Sequence, residues 1–259
     1  MKFNKANDKL KKLYKAMSLK KWLDRKIGRS SAKVYSFDLL SGVFCPMAML
    51  CRSRAKVDEE TGKRSIQDGP KTQFRCFSAS QEVLFTNVYE NRKRNGDAML
   101  ACSSSFEMAD KLCAVLPKDA AVVRIHVAGD MFNVMYFRAW MLVACRRPDI
   151  LFYAYTKSLG YWVDNMANIP HNLVLTASRG GSQDELIEQH KLREAVVVYS
   201  EAAAAEKGLE IDNDDSHAAD PARRNQSFAL LIHGVQPKGS EAAAALKILK
   251  RKAKEEANV

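Results

Sequence analysis

Three cysteines in one predicted loop are the residues whose type and spacing most directly indicate chemistry. Cys45 and Cys51 enclose Pro-Met-Ala-Met-Leu, and Cys76 follows after 24 further residues. Three thiolates on one loop can hold an iron–sulfur cluster or a metal ion. With no fourth cysteine nearby, a cluster would leave one iron open to a ligand. A structural zinc site would instead need a fourth ligand, for which His217 is a candidate.

The other cysteines are expected to be structural. Cys102, Cys113 and Cys145 lie in predicted helical or core segments, where a thiol ordinarily acts as a small hydrophobe. No stretch approaches the roughly 18 apolar residues of a membrane span. The N-terminus also lacks the apolar segment of a secretory signal. We therefore expect a cytoplasmic protein without membrane attachment, in which disulfides are a poor default.

Polar side chains follow the ends of successive predicted strands. In parallel α/β barrels, the carboxyl ends of the strands surround the active site. We therefore expect these side chains to line one cofactor-binding pocket that faces the cysteine loop. A single histidine in such a position is more often a satisfied core residue, but the pattern repeats from strand to strand. The residues are His126, Asp130, Lys157, Ser178 and Arg179.

An acidic segment at 212–217 is a second dense group of polar residues. It reads Asp-Asn-Asp-Asp-Ser-His, and such side chains can coordinate a divalent cation or position a base. We expect Asp214, Asp215 and His217 to join the same pocket, with a solvated acidic loop as the alternative. No GxSxG elbow and no P-loop occurs, so acyl transfer and nucleotide triphosphate hydrolysis have no support.

Strands that alternate with helices must position these residues. Such alternation predicts a parallel sheet, here an open or partial (β/α)6 barrel. A doubly wound sheet is the alternative, but no glycine-rich phosphate loop follows the first strand. The predicted strands are 33–40, 121–127, 150–156, 172–178, 195–200 and 227–234. The predicted helices include 5–27, 80–94, 104–115, 133–146, 201–207 and one from Ser240 onward, and 41–76 is predicted to be a long polar loop.

The net charge of +11 is concentrated at the N-terminus. Residues 1–33 contain ten Lys and two Arg against Asp8 and Asp24, whereas the rest of the chain is close to neutral. We therefore predict two parts, a basic helical arm at 1–33 and a single α/β partial-barrel domain at 34–259. Such a localised positive field favours phosphate backbones as partners.

The arm carries aromatic rings among its lysines, a combination that suits single-stranded nucleic acid. An amphipathic helix that packs on the body, or one that lies on a membrane surface, remains an alternative. The candidate nucleic-acid residues are Lys11, Lys12, Tyr14, Lys15, Lys20, Lys21, Trp22 and Arg25.

Several motifs in order resemble a family of phage and prophage proteins, the gene product eighty-eight family. The resemblance covers about 38–245. It also implies a distant similarity to radical SAM enzymes, which are partial (β/α)6 barrels with a [4Fe–4S] cluster on the loop after the first strand. The motifs are CPMAMLC, FRCFSASQE, RIHVAGD, FYAYTKSL, LTASRGG, GLEIDNDDSHA and ALLIHGVQPKGS.

This resemblance implies a [4Fe–4S] cluster on Cys45, Cys51 and Cys76. The cysteine spacing departs from the CxxxCxxC of radical SAM loops. The glycine-rich segment that would contact S-adenosylmethionine is reduced to Ala128-Gly129-Asp130.

Two functions are consistent with these observations. The first is a phage iron–sulfur protein of the host cytoplasm that binds nucleic acid, chiefly single-stranded DNA, during phage transcription or replication. A polymerase is then a candidate partner. The second is a radical-SAM-like enzyme that acts on a nucleic acid or nucleotide and uses S-adenosylmethionine as cofactor. The basic arm favours the first function, and the polar strand ends around an open iron favour the second.

Overall fold

A mostly parallel sheet interleaved with helices forms the centre of this α/β protein. The computed structural model describes residues 1–27 and 30–256. The strands of the described ranges are β1 (Asn4–Lys5), β2 (Lys26–Ile27), β3 (Ser30–Ser31), β4 (Lys33–Phe37), β5 (Ser53–Val57), β6 (Arg64–Asp68), β7 (Ala120–Ile125), β8 (Leu151–Thr156), β9 (Leu173–Ser178), β10 (Glu194–Val198), β11 (Glu210–Ile211) and β12 (Phe228–Leu231).

The helices between them vary in length from one turn to more than four turns. They are α1 (Asp8–Lys11), α2 (Lys20–Leu23), α3 (Phe77–Leu84), α4 (Thr86–Leu100), α5 (Ser105–Val115), α6 (Val134–Arg146), α7 (Leu159–Val163), α8 (Glu185–His190), α9 (Glu201–Glu206), α10 (Ser216–Ala219) and α11 (Glu241–Glu256). Short 3-10 turns occupy Lys12–Lys15, Met17–Leu19, Met166–Asn168 and Pro221–Arg223.

The main sheet winds in one direction. Its order is β1-β4-β7-β8-β9-β10-β12-β11, and every pair except β1 with β4 is parallel. Apart from the separate β5–β6 hairpin and the short edge strand β11, each strand from β4 to β12 pairs with the next strand of the chain, without the reversal of order that marks a doubly wound sheet. The carboxyl ends of these strands therefore meet along one edge.

Side chains alternate between the two faces of the sheet, and each face has its own core. Phe152 of β8 belongs to the first core, which α5 and α6 cover with residues such as Trp140. Tyr153, the next residue, belongs to the second core. That second face is covered by the N-terminal segment and by α10. Leucines of the basic arm therefore close one side of the central sheet.

The predicted helix at 5–27 is wrong. The segment instead consists of α1, two 3-10 turns and α2, with an extended residue at Ala16 (φ −71°, ψ 111°). The broken path lets four leucines reach the sheet, whereas one continuous helix would place Leu10 and Leu19 on opposite sides. These leucines, Leu10, Leu13, Leu19 and Leu23, are all buried.

Two further predictions between β4 and β7 need correction. The polar loop at 41–76 contains a hairpin of β5 and β6. The single helix at 80–94 is two helices, because Phe85 adopts an extended conformation (φ −117°, ψ 106°) between α3 and α4. By contrast, α5 and α6 lie where they were predicted, and Ser104 and Asn133 cap their N-termini.

Replacement of Leu13 by alanine tests whether the arm belongs to the folded core. Leu13 is fully buried, so we expect the free energy of unfolding to fall by about 2–5 kcal/mol. Urea unfolding followed by circular dichroism measures it. Met17, which is 72% exposed in the same segment, is the matched control, and Met17→Ala should change stability by less than about 0.5 kcal/mol. Equal unfolding midpoints for both variants would show that the arm is not part of the core.

A cysteine-lined cavity at the carboxyl edge of the sheet

A cavity of about 300 Å³ opens at the carboxyl ends of the parallel strands. All three cysteines of the long loop reach its wall, together with four of the polar residues predicted from the strand ends. Sheet topology explains this convergence, because β7, β8 and β9 are neighbours and end at the same edge. These lining residues are Cys45, Cys51, Cys76, His126, Asp130, Lys157 and Ser178.

The loop 45–51 is fastened to the chain that follows β9. The Gly180 carbonyl accepts hydrogen bonds from the backbone N–H groups of Met49 (3.1 Å) and Leu50 (3.0 Å). Gly180 has a left-handed φ of 102°, which favours glycine. This contact turns the cysteine loop inward over the edge of the sheet.

A buried ion pair anchors Cys76 on the other side of the cavity. Cys76 immediately precedes α3, and Glu82 of that helix accepts a hydrogen bond from Arg92 of α4 at 2.8 Å. The same carboxylate accepts the backbone N–H and the hydroxyl of Ser41, both at 2.9 Å. Burial raises the pKa of Glu82. The pair thus joins the start of the cysteine loop to the two helices that follow it.

The three thiols lie close enough to influence one another electrostatically. Burial raises the pKa of Cys45 well above its ordinary value, and Asp130, Cys76 and Cys51 add to the shift. Burial, followed by the neighbouring Cys51, raises the pKa of Cys76 to about 11. In the described ranges, however, no group of three or more His, Cys, Asp or Glu side chains is arranged to hold a metal ion.

His126 presents an imidazole with one unsatisfied nitrogen. The residue is 3% exposed, and its φ of 70° is unusual for a residue other than glycine. Its Nε2 lies 2.9 Å from the Tyr136 hydroxyl, whereas its buried Nδ1 has no hydrogen-bond partner in the described part of the chain. Burial, followed by the positive charge of Arg124, lowers the pKa of His126 to about 3. The ring is therefore neutral at physiological pH.

Asp130 and Lys157 form the wall beside it, and both are nearly inaccessible to solvent. Asp130 accepts hydrogen bonds from the Thr156 hydroxyl (2.6 Å) and the Lys157 backbone N–H (2.8 Å). Burial raises the pKa of Asp130, although these bonds oppose the shift. The Lys157 ammonium donates to the Ser178 carbonyl (2.6 Å) and hydroxyl (2.8 Å) and to the Arg179 carbonyl (2.8 Å). These bonds tie the ends of β8 and β9 together.

Asp215 lies beneath the cavity with a fully buried side chain. It pairs with Arg124 of β7 and with Lys9 of the arm, the latter at 2.8 Å, and it accepts the Tyr153 hydroxyl at 3.0 Å. Burial opposes ionisation, but Arg124 and Lys9 outweigh it and lower the pKa of Asp215 to about 2. Arg124 and Lys9 both line the cavity. The carboxylate therefore fixes two cations at the wall.

Four residues predicted for the pocket do not line the cavity: Arg179, Asp214, His217 and Asp215, the last of which lies behind Arg124 and Lys9. Glu188 and Glu194 hold the Arg179 guanidinium away from it. Asp214 folds back to accept the Ser216 backbone N–H at 2.9 Å. His217 Nε2 lies 2.8 Å from a carboxylate oxygen of Glu210, on the side of β11. In each of these three cases, the hydrogen-bonding or ion-pairing partner determines where the side chain points.

The predicted pocket did not include four basic residues of the wall, which are Lys9, Arg75, Arg124 and His233. From the sequence, Lys9 was recognised only as part of the net charge of the arm. Arg124 was recognised only as a positively charged residue on the polar face of β7. Arg75 is adjacent to Cys76, and His233 stacks on Phe77 with ring centres 4.8 Å apart. The position of Arg75 beside a predicted ligand was a signal that could have identified it.

The candidate nucleic-acid residues lie on the outer side of the arm. The exposed ones are Lys11, Lys12, Tyr14, Lys15, Lys20 and Lys21. Trp22 and Arg25 are half-buried, and the Trp22 ring packs against the second core with Lys21 5.3 Å from its centre. The Tyr14 hydroxyl accepts the Val34 backbone N–H at 2.9 Å. The Trp22 ring thus packs within the fold, whereas Tyr14 is bound through its hydroxyl and remains 40% exposed.

The fold and the cavity define an α/β protein with a cysteine-lined cavity at the carboxyl edge of a parallel sheet. The chain belongs to the Gene product 88 family, whose profile matches residues 1–253. The match includes the basic arm, which the sequence resemblance did not reach. No curated protein and no solved structure matches the chain. None of the described helices is long and apolar enough to cross a membrane.

Replacement of Asp215 by asparagine tests the electrostatic arrangement beneath the cavity. The buried Arg124 would lose its carboxylate, so we expect the free energy of unfolding at neutral pH to fall by about 3–5 kcal/mol. The wild-type carboxylate stabilises the fold above its ordinary pKa of 3.8 and loses that effect as the pH falls towards about 2. The variant should therefore lose less stability over this range.

Urea unfolding between neutral and acidic pH measures both effects. Asp149→Asn is the control, because Asp149 pairs with Arg147 at a half-exposed site and should contribute less than about 1 kcal/mol. If Asp215→Asn behaves like Asp149→Asn, the buried pair is not the stabilising element described here.

Proposed function

We propose that this protein is a phage iron–sulfur protein that binds a [4Fe–4S] cluster through Cys45, Cys51 and Cys76 and a small ligand beside it. The observation that carries the proposal is the convergence of three cysteines from one loop with polar strand ends on a single cavity. In a parallel α/β protein, this edge is where ligands bind. The activity we favour is radical-SAM-like.

The donor set suits a cluster better than a single metal ion. One ion needs several ligands directed at one point, and the described residues hold no such group. A [4Fe–4S] cluster instead takes one thiolate on each iron, so its ligands are spread around a larger body. Three cysteines leave the fourth iron available to a ligand within the cavity. A reduced cluster of this kind supplies one electron to the group bound at its open iron.

The architecture supports the same proposal. From β4 to β12 the strand order follows the chain without reversal, as in a (β/α) barrel, and the cysteine loop follows the first of these strands. We propose a partial (β/α)6 barrel on this basis. S-adenosylmethionine is the cofactor that the radical-SAM resemblance suggests, and Ala128-Gly129-Asp130 lines the cavity where such a ligand would lie.

Nucleic-acid binding is the second candidate function. The observation that favours it is the exposure of Lys11, Lys12, Lys15, Lys20 and Lys21, while the leucines of the same segment are buried. The arm can thus remain packed and still present a row of cations to phosphates. Because Tyr14 and Trp22 are engaged in the fold, phosphate contacts would supply most of the affinity. This surface could deliver a nucleic-acid substrate or hold the protein on single-stranded DNA.

Substitution of the three cavity cysteines by alanine should abolish cluster binding. After anaerobic reconstitution, we expect the wild type to contain iron and labile sulfide in equal amounts and to show a brown visible absorbance. The Cys45/Cys51/Cys76 triple variant should contain neither. The control replaces Cys102, Cys113 and Cys145, which lie outside the cavity, and should retain the cluster. Cluster loss only in the control variant would contradict the assignment.

Replacement of the five exposed arm lysines by glutamine tests the second function. Each phosphate contact contributes about 0.7 to the salt dependence on single strands, so five lost contacts should flatten the slope of log affinity against log salt by about 3–4. Fluorescence anisotropy with a labelled oligonucleotide measures the slope.

The matched control changes five exposed lysines outside the arm and should leave most of the slope in place. These are Lys56, Lys63, Lys71, Lys118 and Lys191. Equal effects of the two sets would mean that binding follows net charge rather than the arm. An unchanged slope after the arm substitutions would reject the arm as the nucleic-acid surface.

A further inference from the structure

One corner of the cavity combines a neutral histidine with two cations that share a single carboxylate. His126, Arg124 and Lys9 all line the cavity, and Asp215 lies behind the two cations. None of these residues belongs to the cysteine loop. The corner therefore calls for an explanation separate from the binding of a cluster.

The tautomer of His126 follows from its neighbour. Tyr136 is fully buried, and its hydroxyl lies 2.9 Å from His126 Nε2. The neighbouring Trp140 indole can only donate to this hydroxyl, so it is not an acceptor for the hydroxyl hydrogen. A buried hydroxyl needs an acceptor for its hydrogen, and Nε2 is the acceptor available. The neutral ring must then carry its own hydrogen on Nδ1. His126 thus lacks a lone pair for a metal at Nδ1 and offers an N–H donor with no protein acceptor.

Arg124 offers a second unused donor beside it. Its Nε donates to the His126 carbonyl at 3.1 Å, and its Nη1 donates to Asp215. Its Nη2 makes no hydrogen bond within the described ranges and is not among their buried unpartnered atoms. The guanidinium lies 4.9 Å from the centre of the Tyr155 ring, which fixes its plane. The Arg124 Nη2 is therefore held in a fixed position, and its N–H groups can donate to a ligand.

Lys9 makes the charge of the corner positive. Its ammonium pairs with Asp215 at 2.8 Å, and the Lys9 side chain is still 36% exposed. Two cations around one carboxylate leave one positive charge, which an anionic group would balance. A carboxylate has two oxygens that can accept hydrogen bonds from separate donors such as those of His126 and Arg124. Val197, Leu230 and Ile232 line the same cavity and provide apolar surface for an organic group.

We infer that this corner binds the carboxylate of a small organic ligand, with His126 Nδ1 and Arg124 Nη2 as hydrogen-bond donors and Lys9 as the balancing charge. The inference deepens the proposed function, because it names the class of ligand that the cavity takes beside the cluster. It also gives the arm a place in the site, since Lys9 comes from α1.

Titration with butyrate, with butyramide as its uncharged counterpart, tests the inference. Protein labelled with nitrogen-15 in histidine allows the His126 ring signals to be followed by NMR, and they can be assigned by comparison with the His126→Asn variant. Butyrate should shift the Nδ1 signal saturably and bind at least about tenfold more tightly than butyramide. Equal binding of the two compounds would overturn the inference, as would tighter binding of inorganic phosphate than of butyrate.

Two variants and one control locate the effect. Lys9→Met leaves the Arg124–Asp215 pair in place, and His126→Asn keeps a residue type that tolerates a positive φ. Both should weaken butyrate binding at least about tenfold with little effect on butyramide, as judged by the change in melting temperature on adding each compound. Lys56→Met, on exposed β5, should bind butyrate like the wild type. Unchanged binding in both cavity variants would refute the site.

These readouts are separate from those of the proposed function. A protein that reconstitutes its cluster but does not distinguish butyrate from butyramide would retain the proposed function and lose this inference. Discrimination without cluster formation would retain the carboxylate site and remove the iron–sulfur proposal.

Discussion

One buried carboxylate connects the parts of this protein that are distant in sequence. Asp215 holds Lys9 from the arm, Arg124 from β7 and the Tyr153 hydroxyl from β8. A buried carboxylate is tolerated only with such partners, so the acidic loop, the arm and the central strands must assemble together. The same interaction places two cations on the wall of the cavity. Folding and the charge of the site therefore depend on one set of contacts.

The basic arm illustrates how one segment can serve two purposes. Its leucines cover the second face of the sheet, as Leu13 does, while its lysines other than Lys9 are exposed to solvent. The match of the family profile from residue 1 agrees with an arm that is integral to the protein. The predicted division of the chain into an arm and a body rested on net charge. Net charge depends on the lysines but not on the leucines between them.

The sequence predicted best where a local pattern determines the structure. Apolar runs identified the six long parallel strands, and the helices predicted at 104–115 and 133–146 correspond to α5 and α6. The sequence predicted the structure poorly where tertiary contacts determine the conformation of a segment. The segment 5–27 is not one helix, because Leu10 and Leu19 pack in the same core although one continuous helix would place them on opposite sides.

The residues of the cavity also divide into those placed by strand topology and those placed by tertiary contacts. Topology brought Cys45, His126 and Lys157 to one cavity, as expected from strand ends in a parallel sheet. Arg179 was assigned there wrongly, since its carboxylate partners come from α8 and β10 and cannot be read from its own motif. Lys9 was missed for the same reason, because its partner Asp215 is more than two hundred residues away.

We propose that the cavity holds a cluster on three cysteines with one iron open to a ligand. A Mössbauer spectrum of the wild-type protein, reconstituted anaerobically with enriched iron, tests this proposal. We expect a [4Fe–4S] signal in which one iron site becomes distinct from the other three when S-adenosylmethionine is added. A spectrum of mononuclear iron only, or the absence of specifically bound iron, would contradict it.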